Sequence, residues 1–435
     1  GDFGPSFLAA GKAAPLAFIW ALLATIPTAI SYALLSRDYP LSGSAASWAS
    51  KSMAPSIGIW AGWMVFLYYF TNFIIQPVTM GVFLGDLLHL AGITQGMGTF
   101  SLGVLICGAW SASMVYRGIS LSAKGALLFL LFESVIVLAL CVSVIYFAAP
   151  GTLSTEGFHV ASSPTGMNGI AKAMVFAMMA YCGFDVVSTL AEETKMAKKL
   201  IPQATLLSLL IYALVIVAGI WCLTYGGEPA HLKEIAEKGE MPITDVAVRY
   251  WGSGSVLVTL TALSASLGLA IATAVGASRV LFAMSRDGLI HRKLSVLHAK
   301  YQVPTNALHL IFAVGIVASL LVGVLIGPYN SYVWWATTST FFAMITYLVV
   351  NVANILLNRH RVLSSASGFL LYGVLPVFGI GTDAYILYRS FFVELWAQDW
   401  LNGKSVIVAD VACAVIAAVA TVYFVRKKAR MGRAA

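Results

Sequence analysis

Charge is what this 435-residue chain has least of: Asp, Glu, Lys and Arg together supply 10% of it. A soluble domain carries roughly 25%. Cysteine is scarce too, and Cys107, Cys141, Cys182, Cys222 and Cys413 all fall in apolar stretches without ligand spacing. That argues against a disulfide framework and against a zinc site. The seven His lie mostly in polar loops with no pair at metal spacing. No phosphate-binding glycine loop, nucleophile elbow or HExxH pattern occurs. A membrane-embedded enzyme would need His, Cys or paired acids gathered at one depth, and no such set is visible. A channel's repeated pore motif and a receptor's ligand domain are equally missing. The sequence implies no cofactor and no metal.

What is present is hydrophobic sequence, 60% of the chain. A membrane-crossing helix needs about 20 apolar residues. Runs of that kind lie near 15–36, 57–88, 100–116, 124–148, 170–190, 203–225, 254–282, 307–327, 331–355, 368–389 and 405–425. They predict an all-α membrane protein with eleven full spans and no soluble domain between them.

The basic residues divide by side. Arg37, Lys51, Arg117, Lys124, Lys195, Lys198, Lys199, Arg279, Arg286, Arg292, Lys293, Lys300, Arg359, Arg361 and the tail residues Arg426, Lys427, Lys428, Arg430 and Arg433 share one set of loops. The opposite set holds Lys12, Lys172, Lys233, Lys238, Arg249, Arg389 and Lys404. Lys and Arg mark the cytoplasmic side, so the first set and the C-terminus are expected inside and the N-terminus outside. The net charge of +8 then reflects topology and anionic lipid, not nucleic acid.

Two spans contain a carboxylate where hydrocarbon should be. In 170–190 the run Met178-Met179-Ala180-Tyr181-Cys182-Gly183-Phe184-Asp185 sets a helix-weakening Gly beside an acid, and Glu192-Glu193 follow. A charge at the bilayer centre costs at least ~2.5–3.5 kcal/mol, so such residues face a cavity or pathway. A helix broken there exposes backbone groups of the kind that bind substrates in carriers. Gly183 is expected to let the helix open, with carbonyls near Met179 and Ala180 accepting from a substrate ammonium; small residues also serve plain helix packing. Asp185 would pair with a substrate amine or satisfy backbone amides freed by the break. Tyr181 and Phe184 would flank it as a cation-facing ring or as ordinary core. The second acid, Glu133, lies about 13 Å along the span that starts near Lys124. At that depth it must be protonated, paired or hydrated, and it can carry a coupling proton, neutralise a cationic substrate or bond another span. Ser264, Ser266 and Thr273 could offer hydroxyls to sodium, although hydroxyls in spans more often bond their own helix. Thr337, Thr338, Ser339 and Thr340 could face the cavity from a loosened helix.

Four blocks carry a resemblance that covers nearly the whole chain. They are Ala29-Ile30-Ser31-Tyr32 leading to Tyr39-Pro40-Leu41-Ser42-Gly43-Ser44; Gly58-Ile59-Trp60-Ala61-Gly62-Trp63; Gly183 through Thr194 followed by Ile201-Pro202; and Ser278 through Gly288 followed by Val303-Pro304. In this order and spacing the chain resembles the amino acid–polyamine–organocation superfamily of transporters, with bacterial putrescine and amine importers nearest in look. The resemblance implies a LeuT-like fold: two inverted five-span repeats, here 1–148 and 149–366, then two further helices and a basic tail at 367–435. In family order the Gly1-Asp2-Phe3-Gly4-Pro5 segment reads as the outer half of a broken first span whose inner half is missing from this sequence, so the first span is expected to be truncated and 170–190 to be the sixth. The implied substrate is a small amine or amino acid bound at mid-membrane by Met179, Ala180, Tyr181, Gly183, Phe184, Asp185, Tyr69 and Thr338. Sodium-independent members place a lysine near this point of the fifth span, where it occupies the place of a coupling sodium; this chain has Phe132 and Glu133 there and lacks that lysine, so Glu133 is the expected coupling residue and a proton the expected ion. Sodium coupling through Ser264 and Ser266, or exchange, is the alternative. Amine importers of the family place an acid–tyrosine pair at about Tyr68-Tyr69; this chain keeps Tyr69 but has Tyr68 for the acid, which weakens a diamine assignment. The implied location is the cytoplasmic membrane.

The topology has a direct test. Cysteines introduced at Lys198 or Arg292 are expected to react with an impermeant maleimide only from the cytoplasm, and at Lys238 only from outside. The opposite accessibility would invert the map.

Overall fold

The computed structural model describes residues 3–90, 92–94, 96–148, 153–237, 242–397 and 399–431. Gly1, Asp2, Lys238 and Arg433 lie outside them. Hydrocarbon leaves a backbone no partner but itself, so apolar runs become helices. Helices α1 (Phe3–Ala10), α2 (Ala14–Asp38), α3 (Ser44–Ser52), α4 (Pro55–Leu90), α5 (Met97–Tyr116) and α6 (Ile119–Phe147) form the first part. Then come α7 (Met167–Tyr181), α8 (Ala197–Gly226), the short α9 (Pro229–Glu237) and α10 (Pro242–Trp251), and α11 (Val256–Arg286). Last are α12 (Thr305–Ile326), α13 (Pro328–Leu357), the single turns α14 (Arg359–Val362) and α15 (Ala366–Phe369), α16 (Leu375–Leu387) and α17 (Ser405–Met431). Among the described residues eleven helical stretches are long and apolar enough to cross a membrane, and no strand is formed.

Burial sorts these helices into centre and rim. The most apolar windows of the α1–α2, α4 and α13 stretches are each 67% buried, whereas that of Leu127–Phe147 in α6 is 17% buried. The outer helices therefore present Leu, Val and Ile outward, as lipid requires. The central ones pack on one another: α4 lies against α11 and α13, α2 against α7 and α8, and α16 against α13 and α2. One contact depends on having no side chain at all. A Cβ on Gly103 of α5 would stand 2.6 Å from the Gly81 Cα of α4, so two glycines let these backbones touch.

The sixth-span region is not one helix. α7 stops at Tyr181, Cys182 is extended, and Gly183 turns left-handed at φ +118°. A ten-residue 3-10 segment, Phe184–Glu193, follows. Met196, at φ +53°, then resets the chain into α8. The tenth-span region behaves oppositely. α13 runs unbroken through Thr337–Thr340, and Thr337 and Thr340 bond the Val333 and Ala336 carbonyls of their own helix. The expectation of a loosened helix there is overturned: the α-helix continues through all four residues, while Ser339 donates across to the Tyr68 carbonyl of α4.

Candidate functional site

The break aims one carboxylate into the protein's centre. Asp185, the second residue of the 3-10 segment, is fully buried. Tyr69 of α4 donates to its Oδ2 at 2.6 Å. Tyr68, also of α4, and Tyr347 of α13 each donate to its Oδ1 at 3.1 Å. A hydrogen bond to a charged group contributes about 1.5–3 kcal/mol, and three of them offset much of the desolvation of a carboxylate. The donors are neutral phenols, and no cationic side chain among the described residues pairs with Asp185. Phe184 closes the site with its ring 5.5 Å from Tyr347 and 5.8 Å from Tyr32. Tyr32 in turn meets Trp48 edge-on at 5.5 Å. The result is an acid inside a box of aromatic rings, all of them buried. Such a box has the chemistry to receive an organic cation by charge and by ring faces.

The other residues singled out by sequence do not all join it. Tyr181 donates to the Phe18 carbonyl at 3.1 Å and packs on Phe18 and Tyr212, so it ties α7 to α2 and α8. The Met179 carbonyl accepts the Cys182 amide at 3.1 Å, which leaves it one further lone pair; Ala180, next to it in the last turn of α7, is half-buried. Thr338 is buried but nine positions from Tyr347, half a turn round α13, and faces Asp410 of α17 instead. Its expected place at the cavity is corrected by helix geometry. Glu133 is half-buried and neighbours Ser264 of α11. Ser264 is twelve residues, about 18 Å, along α11 from Gly276, which touches the Tyr69 ring. Glu133 thus stands apart from Asp185. Ser264 and Ser266 bond the Thr261 and Leu263 carbonyls of their own helix at 2.9 and 2.7 Å, and Ser266 also meets the Met80 sulfur. These two hydroxyls thus turn to their own helix, to Glu133 and to the Met80 sulfur.

Gly183 opens the helix, as expected, by its backbone. A Cβ at Gly183 meets nothing within 4 Å, but the backbone sits at φ +118°, which L side chains rarely adopt. Backbone conformation, not space, requires the glycine.

Toward the basic loops, the far end of the 3-10 segment is clamped. Arg279 of α11, only 4% exposed, grips Glu193 with two hydrogen bonds of 2.8 and 2.9 Å. Arg286 reaches Glu192 at 2.8 Å, and the Ser42 amide donates to Glu192 at 3.1 Å. Ser44, held at φ +45°, meets the Ser188 hydroxyl at 2.7 Å. Three of the sequence blocks, 39–44, 183–194 and 278–288, therefore meet at one seal.

Sequence reasoning missed four buried groups. Tyr347 and Asn351 sit on α13, and Asp383 of α16 and Asp410 of α17 are carboxylates buried in the two last spans. The rule that found Glu133 would have found both acids; they lay in helices outside the two expected repeats.

Comparison with known proteins places the chain among amino acid permeases. The family model for amino acid permeases matches residues 5–398. The low-affinity putrescine importer PlaP of Escherichia coli K12 is 27% identical over 317 residues, 70% of this chain and 66% of its own, so the chain spans just under two thirds of that relative. The branched-chain amino acid permease BcaP of Bacillus subtilis is 26% identical over 69% of this chain and 66% of its own. A methylthioribose transporter of Bacillus subtilis is 25% identical over 87% of this chain and 81% of its own.

Because the strain at Gly183 is in the backbone, Gly183→Ala and Gly183→Leu are expected to lower the thermal midpoint of the purified protein to a similar degree. The left-handed cost is about 1–2 kcal/mol per residue. A loss confined to the Leu variant would mean that space, not φ, is limiting.

Proposed function

This chain belongs to the amino acid permease family, and from that premise we propose that it is a secondary active transporter importing an amino acid or a small organic amine across the cytoplasmic membrane. The observation that carries the reading is Asp185, a carboxylate buried at a helix break among tyrosine hydroxyls with no cationic side chain opposite it. A substrate ammonium would complete that site. Putrescine and branched-chain amino acids, the substrates in the names of two relatives, both bear one. Tyr68, a neutral donor beside Asp185, supports a substrate with a single ammonium over a diamine.

In the proposed cycle the substrate reaches Asp185 from alternate sides, with the Glu192–Arg286 and Glu193–Arg279 pairs closing the basic side. The basic loops and the C-terminus face the cytoplasm, and spans one to five and six to ten form a LeuT-like inverted repeat. Proton coupling belongs to the same proposal. Sequence offers Glu133 for it, but Glu133 stands apart from Asp185, and buried acids nearer Asp185 compete for the role.

A panel of amines, amino acids and the uncharged methylthioribose tests the substrate class by thermal stabilisation, since a ligand at 100 Kd adds about 2.7 kcal/mol. The ammonium-bearing compounds are expected to stabilise the wild type. Asp185→Asn is expected to abolish that shift, because removing one partner of a buried charge pair costs about 3–5 kcal/mol. Stabilisation by the uncharged sugar alone, undiminished in Asp185→Asn, would overturn the reading.

A further inference from the structure

A second buried carboxylate lies close to the first. Asp383 of α16 is fully buried. Its Oδ2 accepts from Thr28 Oγ1 at 3.0 Å and from Asn351 Nδ2 at 3.2 Å. Its Oδ1 is buried with no hydrogen-bond partner among the described residues. The side chains that reach it are both neutral, and among the described residues no lysine, arginine or histidine pairs with it. The titratable groups that face it are the Tyr32 hydroxyl of α2 and the Cys182 thiol just after α7. α13, packed against it, presents the amide of Asn351.

Tyr32 neighbours both acids. It lies one turn beyond Thr28 on α2, is wholly buried, and feels both Asp185 and Asp383. Its hydroxyl has no hydrogen-bond partner among the described residues. Tyr347, which holds Asp185, and Asn351, which holds Asp383, are likewise one turn apart on α13. Ser31 bonds Asn351 at 2.8 Å and accepts from Asn354 at 3.2 Å, and Asn358 donates to Asn354 at 3.0 Å. A polar seam between α2 and α13 thus runs from the two acids toward the basic end of the protein.

Two carboxylates in one low-dielectric core, held by neutral phenols and amides, cannot both stay ionised without a cation to balance them. We propose that Asp383 is the proton-binding site of this transporter: a proton on its free Oδ1 removes one of the two negative charges and leaves Asp185 ionised, and its binding and release accompany the movement of substrate. The transport part of the proposal rests on the carrier reading above; the proton site itself does not. A buried carboxylate retained only for structure would keep one protonation state throughout.

Infrared difference spectra of the purified protein, recorded across a pH jump without substrate, test the site. A protonated-carboxyl band is expected in the wild type and in Glu133→Gln and absent from Asp383→Asn; persistence of the whole band in Asp383→Asn would overturn the proposal, whatever the protein transports. In proteoliposomes a one-unit pH gradient drives about ten-fold accumulation at one proton per substrate. Asp383→Asn is expected to keep substrate counterflow and lose that accumulation. Wild-type accumulation by Asp383→Asn, loss of counterflow together with accumulation, or uncoupling by Glu133→Gln alone would each overturn it. Should Asp383→Asn fail to fold, Thr28→Val removes a donor to the ionised form while keeping the acid. It is expected to move the midpoint of the pH-jump band to higher pH, and an unmoved midpoint would contradict the assignment.

Discussion

An ionisable acid buried where hydrocarbon surrounds the protein is the constraint around which this molecule is arranged. Asp185 can be buried because three phenolic hydroxyls reach it, from two helices that are among the most buried in the bundle. Those hydroxyls can reach it only because the chain leaves the α-helix at Tyr181 and re-enters structure through a left-handed glycine. Phenols relieve desolvation without cancelling charge. An arginine in place of Tyr69 would satisfy Asp185 permanently and leave nothing for an incoming cation to do.

The 3-10 segment that carries Asp185 is intrinsically the weakest piece of the core. Ten residues is long for a 3-10 helix, whose hydrogen bonds are poorer than those of an α-helix. Its order is supplied from outside. Gly183 and Met196 bracket it with left-handed backbone, while Ser44, Arg279 and Arg286 hold its basic end. Arg279 is nearly buried and Glu193 is not, so the pair gains from partial desolvation without the full cost of a buried charge. Sub-optimal local structure held by tertiary contacts is what a segment with two arrangements would need.

Much of the architecture was legible because lipid enforces long apolar runs, and each of the eleven runs falls in a helical stretch long enough to cross, the sixth of them broken. The break at Gly183 was legible because hydrocarbon tolerates an acid beside a Gly only where the helix opens or the acid finds partners inside the protein. The mates of Asp185 were less so. Tyr69 was identified, but Tyr347 lies 162 residues away in an apolar helix where nothing local distinguishes it from core. Thr338 failed on phase: its hydroxyl composition was right, but it faces away from Tyr347. Ser264 and Ser266 turn back to their own carbonyls, as a span hydroxyl always can. Glu133, Asp383 and Asp410 have the same sequence signature, and only tertiary structure distinguishes the half-buried one beside Ser264 from the one that shares Tyr32 as a neighbour with Asp185.

The account stands on Asp185 receiving a positive charge. Competition binding measures this directly, with an amino acid that the protein binds set against its α-hydroxy analogue, which keeps the side chain and the carboxylate but lacks the ammonium. The account predicts that the analogue displaces labelled amino acid at least about 100-fold less well, the equivalent of about 2.8 kcal/mol at 1.4 kcal/mol per decade. Equal displacement by the two would show that no ammonium is recognised, and would contradict the role given to Asp185.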